Sequence, residues 1–184
     1  MPLGEVGRPD GPRVPIACRR GRAILTSAVP SYYRDPDAPT PNVPRRVGVV
    51  ALIERDGSFL IERRVDDPHQ WAFIGGSLEE DEQLLEGLRR EVREETGFEV
   101  EHATLFGLFS DPTRIVVYPD GTTCRILSIA FRVAPLGDGE PTTSNESAGM
   151  EFVTRDQLVG RPLWPAHIPI RDALLAAPNE IAVE

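Results

Sequence analysis

Glu91, Glu94 and Glu95 fall in a proline-free stretch from Glu82 to Thr96 that holds a single glycine, Gly87. Leu85, Leu88 and Val92 recur at helical spacing and Gly97 supplies a stop, so the stretch is predicted to be a helix. Its C-terminal end then carries three carboxylates, where the helix dipole disfavours negative charge. Glu91 and Glu95 are one turn apart, a like-charge pair that destabilises an isolated helix by about 0.2–0.5 kcal/mol. At about 100° per residue, all three share an arc of roughly 100°. The apolar stripe borders that arc, which places the carboxylates at the edge of the core. On the helix alone two readings stand: a solvated acidic face partnered by Arg89, Arg90 and Arg93, or a site for a hard divalent cation. Clustered carboxylate oxygens suit Mg²⁺ or Mn²⁺, whereas Zn²⁺ usually recruits His or Cys. Gly75-Gly76 precedes the loop into the helix and permits close approach of a ligand. A carbonyl freed there could add one more oxygen.

The elements that must position these groups read as follows. VGVVALIE (47–54) and SFLIERR (58–64) are β-branched and apolar runs joined by Asp56-Gly57, a strong hairpin signal. Trp71 to Ile74 is a short apolar run. After the helix come ATLFGLF (103–109), RIVVY (114–118) and CRILSIAFRVA (124–134), the last two joined by Pro119-Asp120-Gly121. GMEFV (149–153) reads as one more strand, and Ile168 to Ala177 as a final helix ended by Pro178. Strands dominate, which predicts an α+β or α/β sandwich rather than a regular doubly wound sheet.

Composition sets the outer bounds. A chain of 184 residues suits one domain with extensions. Nine of the 18 prolines fall within residues 1–44. Residues 1–30 are read as a flexible arm, 31–44 as an extended Tyr/Pro lead-in over the domain, 45–178 as the folded domain and 179–184 as a tail. The formal charge of −9 argues against a broad nucleic-acid interface. It leaves room for a small anionic ligand, because a metal ion reverses the local sign. No long apolar run predicts a membrane span and no secretory leader is visible, so a cytoplasmic location is expected. All 20 basic residues are arginine, and Cys18 and Cys124, without CxxC spacing, are expected to be reduced.

Residues 76–98, GSLEEDEQLLEGLRREVREETGF, resemble the Nudix box. Gly76, Glu82, Arg90, Glu91, Val92, Glu94, Glu95, Gly97 and Phe98 fill every fixed place of that pattern. Ile74 stands where the family often has Pro, and Asp81 where it often has Gly, differences that touch loop shape. The wider resemblance, over about residues 31–177, is to bacterial Nudix proteins with a Tyr/Pro lead-in. It implies an α/β/α sandwich and hydrolysis of a nucleoside diphosphate linked to another moiety, such as ADP-ribose or a nucleotide sugar. The alternatives are a (d)NTP pyrophosphohydrolase of MutT type and a non-catalytic nucleotide-binding sensor. Glu91, Glu94, Glu95 and the Gly76 carbonyl would hold Mg²⁺ or Mn²⁺. Glu94 or Glu146 would act as base, and Arg90 and Glu82 would brace the site. The partner would be a small nucleotide, with no nucleic-acid polymer and no membrane; dimerisation, common in that family, is compatible with the sequence.

Substrate contacts rest on residue chemistry alone. Trp71 could stack on a base. Arg63, Arg64 and Arg114 could pair with phosphate. Tyr32, Tyr33 and Tyr118 could form aromatic walls, and His69, His102 and His167 read as structural or surface residues.

Overall fold

The computed structural model describes residues 28–142, 147–177 and 179–183. A mixed β-sheet forms its middle layer. Strand β1 is Ser31–Tyr32 and β2 is Arg46–Arg55. At Asp56 and Gly57 φ is 50° and 73°, the left-handed pair that a two-residue hairpin demands, and β3 (Ser58–Arg64) follows. The short strands β4 (Trp71–Ala72) and β5 (Ile74–Ser77) lead to α1 (Leu84–Thr96). Next come β6 (Val100–Phe109), β7 (Ile115–Val117), β8 (Thr123–Pro135) and β9 (Ser147–Thr154). The chain continues with α2 (Arg155–Val159), a 3₁₀ turn at Pro165–His167, α3 (Ile168–Ala176) and β10 (Ala182–Val183).

Strand β2 is the hub. It runs parallel to β8 from Arg46↔Ile126 to Ile53↔Val133 and antiparallel to β5 over Gly48–Ala51. Its far end turns into β3, which pairs with β4 and β9. Strand β8 also carries β6 and β7, with β1 beyond β7 and β10 beyond β6. The apolar run of β2 is buried on both faces, as a central strand between two helical layers must be. Val49, Ala51 and Ile53 pack with Leu88 and Val92 of α1. Val50 and Leu52 face the other way, onto Leu158 of α2 and Ile170 and Leu174 of α3. The arrangement is an α/β/α sandwich of the α+β class.

Helix α1 begins two residues after the predicted Glu82. Gln83 caps it reciprocally with Glu86, each side chain taking the other's main-chain N–H. Gly97, at φ 74°, ends it and donates to the Arg93 carbonyl. Helix α2 has no counterpart in the sequence reading. No helix among the described residues is long and apolar enough to cross a membrane. Cys124 is a buried thiol whose pKa burial pushes up, and Cys18 lies outside the described residues.

Candidate active site

Leu88 and Val92 anchor α1 in the core, and this turns Glu91 and Glu95 inward beside them. Both carboxylates are only 5% exposed and line a cavity of about 290 Å³ between α1, the sheet and the 3₁₀ turn. Glu95 accepts the Gly75 N–H at 3.0 Å. Gly76 runs so near Glu91 that a Cβ there would lie 2.5 Å from Oε1. Arg90 holds the assembly from outside. Its Nε donates to Glu82 Oε1 at 2.7 Å and its Nη2 to Glu82 Oε2 at 2.9 Å, a two-pronged pair. Nη1 reaches Glu91 Oε1 at 2.7 Å, and Nη2 also donates to the Ser77 carbonyl. The Arg90 hydrogen bonds hold the Glu82 carboxyl below its ordinary range, against a smaller effect of burial. The carboxylates in turn keep Arg90 charged.

The structure thus brings Gly75, Gly76, Glu91 and Glu95 to one wall, with Arg90 and Glu82 behind it. Glu94 is not on that wall; its carboxylate is 41% exposed, 3.5 Å from Arg90. Glu146 lies outside the described residues.

Of the basic and Trp candidates for substrate contact, only Arg64 lines the cavity; Arg63, Trp71 and Arg114 do not. Arg63 and Arg64 are neighbours on a strand and point to opposite faces. Arg64 lines the cavity with Glu62, while Arg63 is exposed and donates to the Ala148 carbonyl. Trp71 lies off the cavity, its ring under the Arg161 guanidinium. Arg114 is 0% exposed, and its guanidinium donates to Phe109 O, Ser128 Oγ and Ala166 O. It ties β7 and β8 to the 3₁₀ turn, and no face of it is open to a ligand.

The cavity is also lined by groups the sequence reading passed over: Arg46, Asp66 and Trp164. Tyr118 joins them, with the Arg46 guanidinium 4.5 Å from its ring centroid; Tyr32 and Tyr33 are not on the wall. His167 is buried there. Its Nδ1 accepts the Phe73 N–H at 3.1 Å, so the neutral ring carries its proton on Nε2. Burial lowers its pKa to about 3, helped by the charges of Arg114 and Arg64. One signal was available for Trp164, which sits between prolines (PLWP) just before the last helix.

The NUDIX domain family model matches residues 43–174. The chain belongs to the Nudix family. A nucleoside triphosphatase, NudI, from Enterobacter sp. (strain 638) is 36% identical over 120 residues, 62% of this chain and 85% of that protein. A MutT-like protein of Streptomyces ambofaciens is 35% identical over 144 residues, 78% of this chain and 86% of that one. Among solved structures, the E. coli ORF135 protein superimposes with TM-score 0.59 at 27% identity, over 77% of this chain and 96% of that chain. An ADP-ribose pyrophosphatase from Streptococcus suis has TM-score 0.58 at 20% identity, over 76% and 98%, and shows the fold. The protein is therefore a Nudix pyrophosphohydrolase.

Nudix proteins generally use divalent metal ions. Among the described residues, no three His, Cys, Asp or Glu side chains converge closely enough to hold an ion unaided. The donor set still fits a small hard cation. Mg²⁺ takes one or two carboxylates and completes its shell with waters and substrate phosphates. Glu91 and Glu95, buried on the cavity wall beside side-chain-free backbone at Gly76, offer that set.

Proposed function

We propose that this Nudix enzyme hydrolyses a pyrophosphate bond of a nucleoside triphosphate. The phosphates lie against Glu91 and Glu95 and the base against Trp164 and Tyr118. The observation that carries the reading is the lining of one cavity by two buried carboxylates and by two aromatic rings with the Arg46 and Arg64 guanidiniums over them. The triphosphate is favoured over a diphosphate linked to another moiety by the relatives' names. NudI and the MutT-like protein match at 36% and 35% identity over 85% and 86% of their lengths. The likeness to an ADP-ribose pyrophosphatase concerns the fold.

The ion in this reading is Mg²⁺ or Mn²⁺, held by Glu91 and Glu95 with the Gly76 carbonyl, because the donors are all oxygen. When bound, such an ion neutralises the pyrophosphate, orients it and lowers the pKa of a bound water. Arg90 fixes the Glu91 carboxylate, and the Gly75 N–H fixes that of Glu95. Glu94 and Glu146 are the candidates to accept the proton of the attacking water. Little covalent chemistry is asked of the side chains, since positioning and charge stabilisation carry phosphoryl transfer.

The test is product release from the common (d)NTPs, ADP-ribose, CDP-choline, UDP- and GDP-sugars, NADH and diadenosine polyphosphates, with Mg²⁺ or Mn²⁺. Triphosphates should show the highest kcat/KM. Glu94→Gln and Glu95→Gln should each lower kcat by about 100-fold or more with an unchanged circular dichroism spectrum. A diphosphate derivative cleaved best would replace the substrate class. Full activity in both variants would remove the carboxylates from the mechanism. Tight nucleotide binding without release under any metal would favour a sensor.

A further inference from the structure

Val29 precedes residues 43–174, where the family model matches, and lies in what the sequence suggests is an arm. Yet it is 6% exposed and lines the cavity. Its side chain packs with Val116 and Ala166 in a small cluster separate from the two sandwich cores, flanked by Tyr118, Ile126 and Trp164. Its main chain is bound on both sides. The N–H donates to Asp66 Oδ2 at 2.7 Å, and the carbonyl accepts Trp164 Nε1–H at 3.1 Å.

The same Asp66 oxygen accepts Arg64 Nη2 at 2.7 Å, and the Arg64 guanidinium lies 4.7 Å from the Trp164 ring centroid. Contacts thus close into a ring, Val29 to Asp66 to Arg64 to Trp164 and back to Val29, and all four residues line the cavity. Neighbouring bonds stitch the segment down: Val117 N–H donates to Pro30 O at 3.0 Å and Ala166 N–H to Ser31 Oγ at 3.1 Å. The carbonyl of Val29 takes the one N–H of the Trp164 side chain, so the indole can meet a ligand only through its carbon surface. The Arg64 guanidinium lies over the Trp164 ring, and a cation with an aromatic face can bear a nucleobase without regard to its hydrogen-bonding edge.

We propose that Val29 is a positioning residue of the substrate site: its main chain holds the Arg64–Trp164 pair as the nucleobase platform, so the segment upstream of the matched domain sets affinity for the base. This rests on the reading of the cavity as a nucleotide site.

The test uses the full chain. Val29→Pro removes the N–H to Asp66 and keeps the carbonyl. Asp66→Ala removes its acceptor, and Trp164→Phe keeps a ring but removes the donor to Val29. Each should raise KM for the best nucleotide about tenfold while kcat stays within about twofold, because Glu91, Glu95 and Arg90 are unchanged. Val29→Pro added to Asp66→Ala should change KM little further, since both cut one bond. If Val29→Pro does not fold, Asp66→Ala and Trp164→Phe decide alone, and their double variant should be markedly less than additive. Unchanged KM in the folded variants, or a loss in kcat alone, would overturn this inference and leave the functional reading intact. A wild-type chain that cleaves and binds no nucleotide would take down both.

Discussion

Arg90 shows how much of the site depends on one side chain. A guanidinium can fork onto Glu82 through Nε and Nη2 while its third nitrogen holds Glu91. Lysine has the charge but not the fork. Arg90→Lys should therefore keep the fold and lower activity by about 10–100-fold, the range seen when a group that orients a metal ligand is lost. The measurement is kcat against Mg²⁺ concentration; an unchanged metal dependence would show that Arg90 does not orient Glu91. Residue chemistry made this group legible before the fold was known. Carboxylates crowded at the negative end of a helix are unfavourable unless something offsets them, and an arginine at the right spacing is one such partner. The same reasoning failed for Arg114, because sequence carries no sign that three acceptors wait for it inside the molecule.

At the scale of elements, β5 explains why the glycine pair is needed. Gly75 has φ 148°, and a Cβ there would lie 2.2 Å from the Val49 carbonyl oxygen on the paired strand β2. Gly75→Ala should lower stability by about 2 kcal/mol or more, combining backbone strain with a clash that only strand separation relieves. Gly57→Ala is the comparison: its φ is also positive, at 73°, but nothing lies within 4 Å of its Cβ. Only a left-handed backbone penalty of about 1 kcal/mol is expected there. Urea unfolding of the two variants measures the difference, and equal losses would mean that the β2–β5 contact has slack. Local signals of this kind made most elements readable. The Asp-Gly hairpin, the period of α1 and its Gly97 stop are properties of short windows. Helix α2 has a signal too, since Thr154 and Gln157 form a capping box. Five residues are too few for a helical period to appear, and the apolar run of β9 masks the start.

The whole molecule is what builds the part of the cavity around Val29 and Trp164, and sequence is least informative there. Val29, Arg64, Asp66, Trp164 and His167 meet only after β7, β8 and the 3₁₀ turn are in place. His167 makes this closure measurable. Burial, with the charges of Arg114 and Arg64 behind it, brings its pKa from 6.5 to about 3. The unfolded chain takes up a proton on this ring as pH falls below its ordinary value, and the native chain does not until far lower. The unfolded state binds more protons throughout that window, so stability is fully present above about pH 6.5 and falls as pH drops toward 3. His167→Asn removes the titration and keeps an oxygen that can accept the Phe73 N–H. The carboxyls of Asp66, Glu82, Asp111 and Asp120, all held low in the native state, weaken both proteins alike in acid. Subtracting the two stability curves between about pH 7 and pH 4 therefore isolates the imidazole. The wild type should lose more stability than the variant on acidification. Parallel curves would mean that His167 is charged, or reached by water, in the native protein, and the burial of this ring would have to be redrawn as exposure.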